Sequence, residues 1–565
     1  MFSALKQAIK PRRSAHELQA NVLAGLTVGI IALPLSMALA IATGVPPQHG
    51  LYTAIIAGIV IALSGGSSVN VSGPTAAFVV ILLPIVHQFG LGGLLVSGML
   101  AGFILLAMGL LRLGKFIELV PYPVTVGFTA GIGVVIGFLQ IKDFLGLDIT
   151  QNNGHFIQKV GSIFSALPSL RWQEALIASI TLGVLLLWPK AKSRIPGHLV
   201  ALLAGACLAW LLTRHLPGFS VATIGSRFHY LVDGVQAAGI PSALPVFTLP
   251  WQLPDAQGRP IGMSFDLIRQ LAAPALTIAI LGALESLLCA VVADGMSGAK
   301  HDSDDELIGQ GIGNIVVPFF GGIPATAALA RTAANIRAGG SMPLASVVHA
   351  LFIVIAMLLI ADLLAYIPMA SMAALLIMVA WNMSDAKLFM QTLKTAPRDD
   401  VAILLICFGL TVLFDMTLAV GVGLGMAAIL FIRKSIDLTE SRPVHDHATP
   451  HHLFDRNAAV YEINGPLFFG TAQKALRSIT RVDPELRTVV LDTSDASMLD
   501  ISAIAAMQAI VKTLDAARVS LVINGLAPRM IHKLNNAQLR SGHVPIRFSG
   551  SLAEAAQLAK DLQAP

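Results

Sequence analysis

Residues 65–77 read GGSSVNVSGPTAA, and residues 321–328 read GGIPATAA. Each string is a polar, glycine-rich turn leading into an apolar run, and the two lie in opposite halves of the chain. Around them, apolar runs lie near 22–42, 51–64, 74–88, 92–112, 119–140, 174–189 and 196–214. A second set lies near 270–293, 307–320, 328–339, 343–361, 369–383, 400–416 and 418–433. The runs beginning at 74 and 328 are shorter than the ~20 residues a full membrane span needs. Seven segments per half, an odd number, predicts an inverted repeat, and in such carriers short Gly/Pro-interrupted segments at matching positions mark the binding site. A half-helix that begins mid-membrane exposes unpaired backbone N–H groups and the positive end of its dipole. Pro74 and Thr75 suit the first turn of one such helix, and Ala328–Arg331 would start the other. Two such N-termini facing each other make an anion site, and the polar residues before them can line a cavity, where irregular backbone is tolerated at that depth. The plainer reading of the doublet is two interhelical turns in a large bundle.

Composition supports a membrane protein. Of 565 residues, 55% are hydrophobic and 12% charged, with a mean hydropathy of +0.75. Cys207, Cys289 and Cys407 all fall in apolar runs and read as small buried residues, not a disulfide framework. No short apolar stretch with an A-x-A site follows the basic N-terminus, so the first span is expected to be retained. The net charge of +5 gives no reason to expect nucleic acid, because the basic residues flank spans. Arg112, Lys115, Lys190, Lys192, Arg194, Lys387, Lys394, Arg398, Arg433 and Lys434 all fall on one side of the expected topology. By the positive-inside rule that side, with both the N-terminus and everything after 434, is cytoplasmic, and the expected location is a bacterial inner membrane.

Near residue 440 the composition changes. SRPVHDHATPHH is polar and prolyl and reads as a linker; its histidines lack regular ligand spacing. Beyond it, AAVYEINGPLFFG, RTVVLDTSDAS and VSLVINGL read as short strands, interleaved with helix-like stretches. That alternation predicts a small α/β domain. The expected organisation is a cytoplasmic segment over 1–21, a transport domain over 22–434, a linker over 435–455 and the α/β domain over 456–565.

VSGPTAAFVVIL, GLYTAIIAGIVIALSGG, HDSDDELIGQGIGN and LDTSDASMLDIS together resemble the sulfate permease (SulP) family. The resemblance runs through nearly the whole chain. It implies an α-helical transport domain of fourteen segments in 7+7 inverted repeats, followed by a cytoplasmic STAS domain, and a homodimer. GALESLLCAVVADGM and MVAWNMSDA are most similar to a bacterial branch that takes up C4-dicarboxylates such as succinate, fumarate or aspartate. HDSDDELIGQGIGN is also very similar to a cyanobacterial branch that carries bicarbonate with sodium. The resemblance therefore implies a secondary anion transporter with no cofactor, with proton-coupled dicarboxylate uptake as the first expectation. Sodium-coupled bicarbonate or sulfate transport is the second, and an anion channel the third. No nucleophile–base set suggests an enzyme.

The resemblance also points to site residues. Ser72, Thr75 and Ala76 would meet the substrate from one half, and Ala328, Leu329, Ala330 and Arg331 from the other. Arg331 would add positive potential; its plainer role is pairing within the bundle. Glu285 is an acid inside an apolar span, costly there and a candidate proton-coupling group, unless it is a permanent partner of Arg331. Cys289 stands where the sodium-coupled branch has a threonine hydroxyl, and a thiol is a poor sodium ligand. Leu35 stands where many sulfate- and halide-carrying relatives have glutamine, which argues for an organic anion. Pro34 and Ser36 are expected to break or soften the first span midway. Asn335 and Arg337 read as flanking a helix end. The string His301–Glu306 reads as a solvated loop with a Ser303/Glu306 capping box, and not a metal site. His87 and His349 read as satisfied core histidines. In the STAS domain, Asp500 and Ser502 match positions that flank and accept phosphate in antagonist relatives, although Ala503 replaces the usual glycine. Ser502 is a candidate phosphosite, and partner docking is the blander role of the domain. No nucleotide motif follows its strands.

Overall fold

The computed structural model describes residues 3–4, 14–115, 120–149, 156–191, 193, 195–232, 235–414, 416–438, 440–443, 454–455, 457–464, 486–496, 499–537 and 544–563. They form two compact units, Met1–Leu424 and Gly425–Pro565. In the first, the chain runs through α1 (Ala15–Ala42), α2 (Pro47–Ser64), β1 (Ser72–Gly73), α3 (Ala76–Leu110) and α4 (Tyr122–Leu145). It continues through α5 (Phe156–Ser165), α6 (Trp172–Leu187), α7 (Gly197–His215), α8 (Ile224–Arg227) and the hairpin β2 (His229–Val232)–β3 (Val235–Ala238). The second half holds α9 (Phe265–Ser297), α10 (Ser303–Val316), β4 (Thr326–Ala327), α11 (Leu329–Arg337) and α12 (Leu344–Leu364). It closes with α13 (Met369–Ser384), α14 (Ala386–Thr395) and α15 (Arg398–Leu413), and α16 (Met416–Leu438) runs across the boundary between the units.

Among the described residues nine helices are long and apolar enough to cross a membrane. α3 carries two expected segments on one 35-residue helix, divided at Gly90, whose φ of 69° and ψ of −170° interrupt the helical path. With α3 counted twice and α10, α11, α15 and α16 added, the elements accommodate the fourteen expected segments. Two expectations are corrected. α1 runs through Pro34 as one helix, which leaves the softening and excludes the break, because a membrane helix tolerates proline where neighbours re-satisfy the freed groups. Cys207 is exposed on α7, not buried, whereas Cys289 and Cys407 are buried.

Two groups of helices pack mostly within themselves. α3 lies against α9 and α10, α12 against α1 and α2, and α11 against α1 and α9; α4 packs with α13 and α15, and α6 with α7 and α13. The α3–α10 seam is closed by small residues, as is usual where lipid supplies no hydrophobic drive. A Cβ on Gly102 would lie 2.7 Å from the Ile315 backbone nitrogen and 2.8 Å from the Gly311 oxygen. Gly102→Leu is therefore expected to push α3 off α10, at more than the ~1–3 kcal/mol of ordinary overpacking. The check is the yield of monodisperse protein and its thermal unfolding in detergent.

In the second unit, β5 (Glu440–Pro443), β6 (Ala458–Asn464), β7 (Thr488–Asp492), β8 (Ser520–Asn524) and β9 (Ile546–Ser549) form one sheet in chain order. β5 pairs antiparallel with β6; the other pairings are parallel. α17 (Ile501–Ala516), α18 (Pro528–Asn536) and α19 (Leu552–Asp561) complete the unit. The period-two alternation in the strands sorts the two faces. Val489, Leu491, Leu521 and Ile523 enter a core that holds Ile504, Met507 and Met530, while Val490 and Val522 pack on Ala555 and Ala559. β5 occupies part of the stretch expected to be linker; the histidines at 445, 447, 451 and 452 lie outside the described residues.

Candidate functional site

The glycine-rich strings at 65–77 and 321–328 meet in space. Ser72 pairs with Ala327 and Gly73 with Thr326 in an antiparallel clip, β1–β4. On one side of it, Val71 O accepts from Ala328 N at 3.0 Å and Val71 N donates to the Thr332 hydroxyl at 3.0 Å. Asn335, buried within α11, donates to Val69 O at 2.9 Å, so it belongs to the clip and does not merely flank a helix end. Arg337 is the exposed last residue of α11. The clip fixes where α3 and α11 begin, and therefore brings the N-termini of two half-helices together.

The two starts differ. Thr75, not Pro74, is the boundary residue of α3, and its hydroxyl accepts from Ala77 N at 3.4 Å. The same hydroxyl donates to Glu285 on α9 at 3.1 Å. α11 begins after Ala328, which has no side-chain oxygen to cap it, so its first N–H groups are left for a ligand. Leu329 and Ala330 are exposed at this start, Ala328 and Thr75 half-buried, and Ala76 buried. Ser72 is turned away: its buried hydroxyl accepts from Gln310 Nε2 at 3.1 Å, which places it behind the clip.

Arg331 is the largest of the fully buried side chains, at 1% exposure. Its Nη2 donates to the Pro74 carbonyl. Among the described residues its Nε and Nη1 have no partner, and Glu285 does not pair with it. A buried guanidinium that lacks a carboxylate partner calls for an anion. A Cβ on Gly73 would collide with that guanidinium, so glycine there lets the backbone approach the cation.

α10 and α9 hold this arrangement from behind. Asn314 makes a reciprocal pair with Ala325, donating to its carbonyl at 2.8 Å and accepting from its N–H at 2.8 Å. The Ser286 and Thr326 hydroxyls lie 2.6 Å apart. Glu306 corrects the sequence reading of a solvated capping residue. It is 1% exposed, and its carboxylate accepts from Gly66 N, Ser67 N and Asn70 Nδ2 at 3.0 Å each and from Gln310 Nε2 at 3.2 Å. Asp302, not Ser303, caps α10, accepting from Asp305 N at 2.9 Å. His301 contacts Asp294 at 2.8 Å. Cys289 is buried with its sulfur 3.6 Å from the Asn70 oxygen. His349 is fully buried, but both ring nitrogens lack a partner among the described residues, so it is not the satisfied histidine expected. His87 is exposed on α3, and Leu35 is half-buried on α1. In the other unit Asp500 caps α17 through Ala503 N at 2.8 Å, with Ser502 half-buried one residue inside.

A model of the sulfate permease family matches residues 18–406 of the chain. The chain belongs to the sulfate permease family. A STAS domain matches residues 452–555. The chain is 40% identical over 522 residues to YvdB of Bacillus subtilis, provisionally named a sulfate transporter, covering 92% of this chain and 94% of that protein. It is 30% identical over 546 residues to the bicarbonate transporter BicA of Synechocystis, covering 92% and 91%. Among solved structures, the transmembrane domain of a cyanobacterial BicA aligns with a TM-score of 0.60 at 29% identity, covering 74% of this chain and 99% of that one. The overall structure of SLC26A9 aligns with a TM-score of 0.83 at 17% identity, covering 98% and 91%, a likeness of fold. The protein is thus a multi-pass membrane anion transporter of this family with a C-terminal STAS domain, and not an enzyme.

Sequence reasoning found Thr75, Glu285 and Arg331, which the structure brings to one place. It missed the polar set behind them, although the signal was present: Glu306, Gln310 and Asn314 recur at four-residue spacing, one face of a helix.

Proposed function

We propose that the chain is a secondary transporter of a small inorganic oxyanion, sulfate first, bound between the starts of α3 and α11. The clip that sets both helix N-termini beside the otherwise unpaired Arg331 guanidinium is the observation that carries this reading. The expected four-carbon dicarboxylate has no support among the relatives named above, whose names specify sulfate and bicarbonate. Leu35 therefore loses its weight as an argument for an organic anion.

Charge balance makes the reading specific. Each helix N-terminus contributes roughly +0.5 of a charge, and Arg331 adds a full one. With Glu285 protonated, the site holds about two positive charges and matches a dianion. With Glu285 ionised it holds about one, which matches a monoanion or an empty site better. The proton on Glu285 and sulfate in the site therefore favour each other, which is coupled symport. The Thr75–Glu285 contact of 3.1 Å supports Glu285 as the coupling group, because it ties that carboxyl to the residue that starts α3. Bicarbonate is the second reading, favoured by the 30% identity to BicA. We also read the chain as a homodimer of the inner membrane with its STAS domain in the cytoplasm, and Ser502 as a position open to phosphorylation.

Purified protein in proteoliposomes is expected to accumulate labelled sulfate when an inward proton gradient is imposed. Glu285→Gln, neutral at every pH, is expected to keep sulfate–sulfate exchange while the proton-driven accumulation ratio falls to one. Accumulation of bicarbonate driven by sodium, with no sulfate flux, would replace sulfate with the second reading; accumulation of succinate would overturn both.

A further inference from the structure

Away from the clip, a cleft of about 250 Å³ lies between the C-terminal end of α1, the middle of α3, the end of α4 and α5. Its polar lining is His87, Gln140, Lys142, Asp143, Lys159 and Arg227. Asp143 is the single carboxylate among its lining residues, and it is taken by Arg227 at 2.7 Å. Two lysines remain in excess. Among the described residues Lys142 reaches only the Ile149 carbonyl, at 3.5 Å. Lys159 is half-buried, and its ammonium has no hydrogen-bond or ion-pair partner among the described residues. Burial holds its ammonium below the usual lysine range, the cost of a cation withdrawn from water without a counter-charge.

The placement matters as much as the charge. α1 and α3 belong to the helix group that carries the clip, whereas α4 packs with α13 and α15 in the other group. The cleft is therefore the mouth of the crevice between the two groups, on the side opposite the basic connections. Leu83, in its wall, stands eight residues along α3 from Thr75, about 12 Å at the helical rise per residue.

We propose that this cleft is a second, outer anion site, in which Lys142 and Lys159 collect the transported oxyanion before it reaches the half-helix starts. The proposal rests on the reading of the protein as an oxyanion carrier. Two cations in a narrow mouth raise the local concentration of an anion, and screening by salt removes the gain. The outer lysines thus govern capture from outside, and the proton-coupled step stays with the inner residues.

Two measurements test it, and the first does not depend on transport. Right-side-out vesicles are treated with a membrane-impermeant acetylating reagent in sulfate or in gluconate at equal ionic strength, and each lysine is followed by mass spectrometry. Sulfate is expected to slow acetylation of Lys159 and Lys142 at least fivefold while a soluble lysine peptide in the same suspension is unaffected; equal rates in the two salts overturn the site. In the second, Lys159→Gln is expected to raise the KM for external sulfate about tenfold at low ionic strength, with the deficit shrinking as salt is added and Lys159→Arg restoring the wild-type value. A deficit that ignores salt, or one that Arg does not rescue, marks a structural role and overturns the proposal. Wild-type protein that moves no sulfate would refute the function proposed above, and the acetylation result would still decide the outer cleft.

Discussion

Arg331→Ala is expected to abolish measurable sulfate uptake at sub-saturating sulfate while leaving the protein foldable. Among the described residues the guanidinium is the one full positive charge beside both half-helix starts, and a hydrogen bond involving a charged group contributes about 1.5–3 kcal/mol. That converts to a loss of roughly ten- to 150-fold in affinity. A second cost falls on the scaffold. Pro74 O loses the Arg331 donor, and an unpaired buried carbonyl costs about 1–3 kcal/mol. Thermal unfolding of the variant in detergent should therefore shift downward but remain cooperative, while sulfate no longer raises the midpoint as it does for the wild type. Arg331→Lys separates charge from shape. Lysine keeps the charge but not the planar fork that reaches Pro74 O and an anion together, so it should restore only part of the affinity. If sulfate stabilised Arg331→Ala as strongly as wild type, the anion would have to sit elsewhere.

The helix starts were legible in the sequence because capping is local chemistry. A glycine-rich turn, a proline, a threonine and an apolar run carry their own instructions, and Thr75 sits where those instructions put it, one residue later than Pro74. Arg331 and Glu285 were legible because charge is rare in apolar spans. The clip was not. Its register, Ser72 to Ala327, joins residues from opposite halves, and two-residue strands give no periodicity to detect. Whether α1 continues through Pro34 was left open for a related reason: the residues that compensate for a proline are neighbours in space. In the STAS domain, by contrast, short β-branched runs were enough to place β6, β7 and β8, while the four-residue β5 and β9 went unread.

The misreading of Glu306 has the clearest physical consequence. A solvated acid at a helix start can be replaced within about ±0.5 kcal/mol; a buried one with four donors cannot. Glu306→Ala strands the N–H groups of Gly66 and Ser67 and the amides of Asn70 and Gln310. At about 1–3 kcal/mol for each unsatisfied buried donor, the total is on the order of 4 kcal/mol or more. That is comparable with the whole stability of a marginal fold, roughly 5–15 kcal/mol, so this variant is expected to yield little folded protein. Glu306→Gln is the informative change. Its amide has the right size, but one of its two acceptor positions becomes a donor. The NH₂ group must then face either the Gly66 and Ser67 N–H groups or the Asn70 and Gln310 amides, donor against donor. Nor can the space be refilled by a slide of α10, because a Cβ on Gly309 would collide with the Gly65 backbone. We expect Glu306→Gln to fold with a lowered unfolding midpoint and a weakened sulfate response. Residues 65–70 lead directly into β1 and Thr75, so a loosened turn blurs the position of the α3 N-terminus. An unfolding midpoint and sulfate affinity both equal to wild type would return Glu306 to the solvent. A carboxylate is the side chain that accepts at both oxygens, and four converging donors are the reason this position takes an acid.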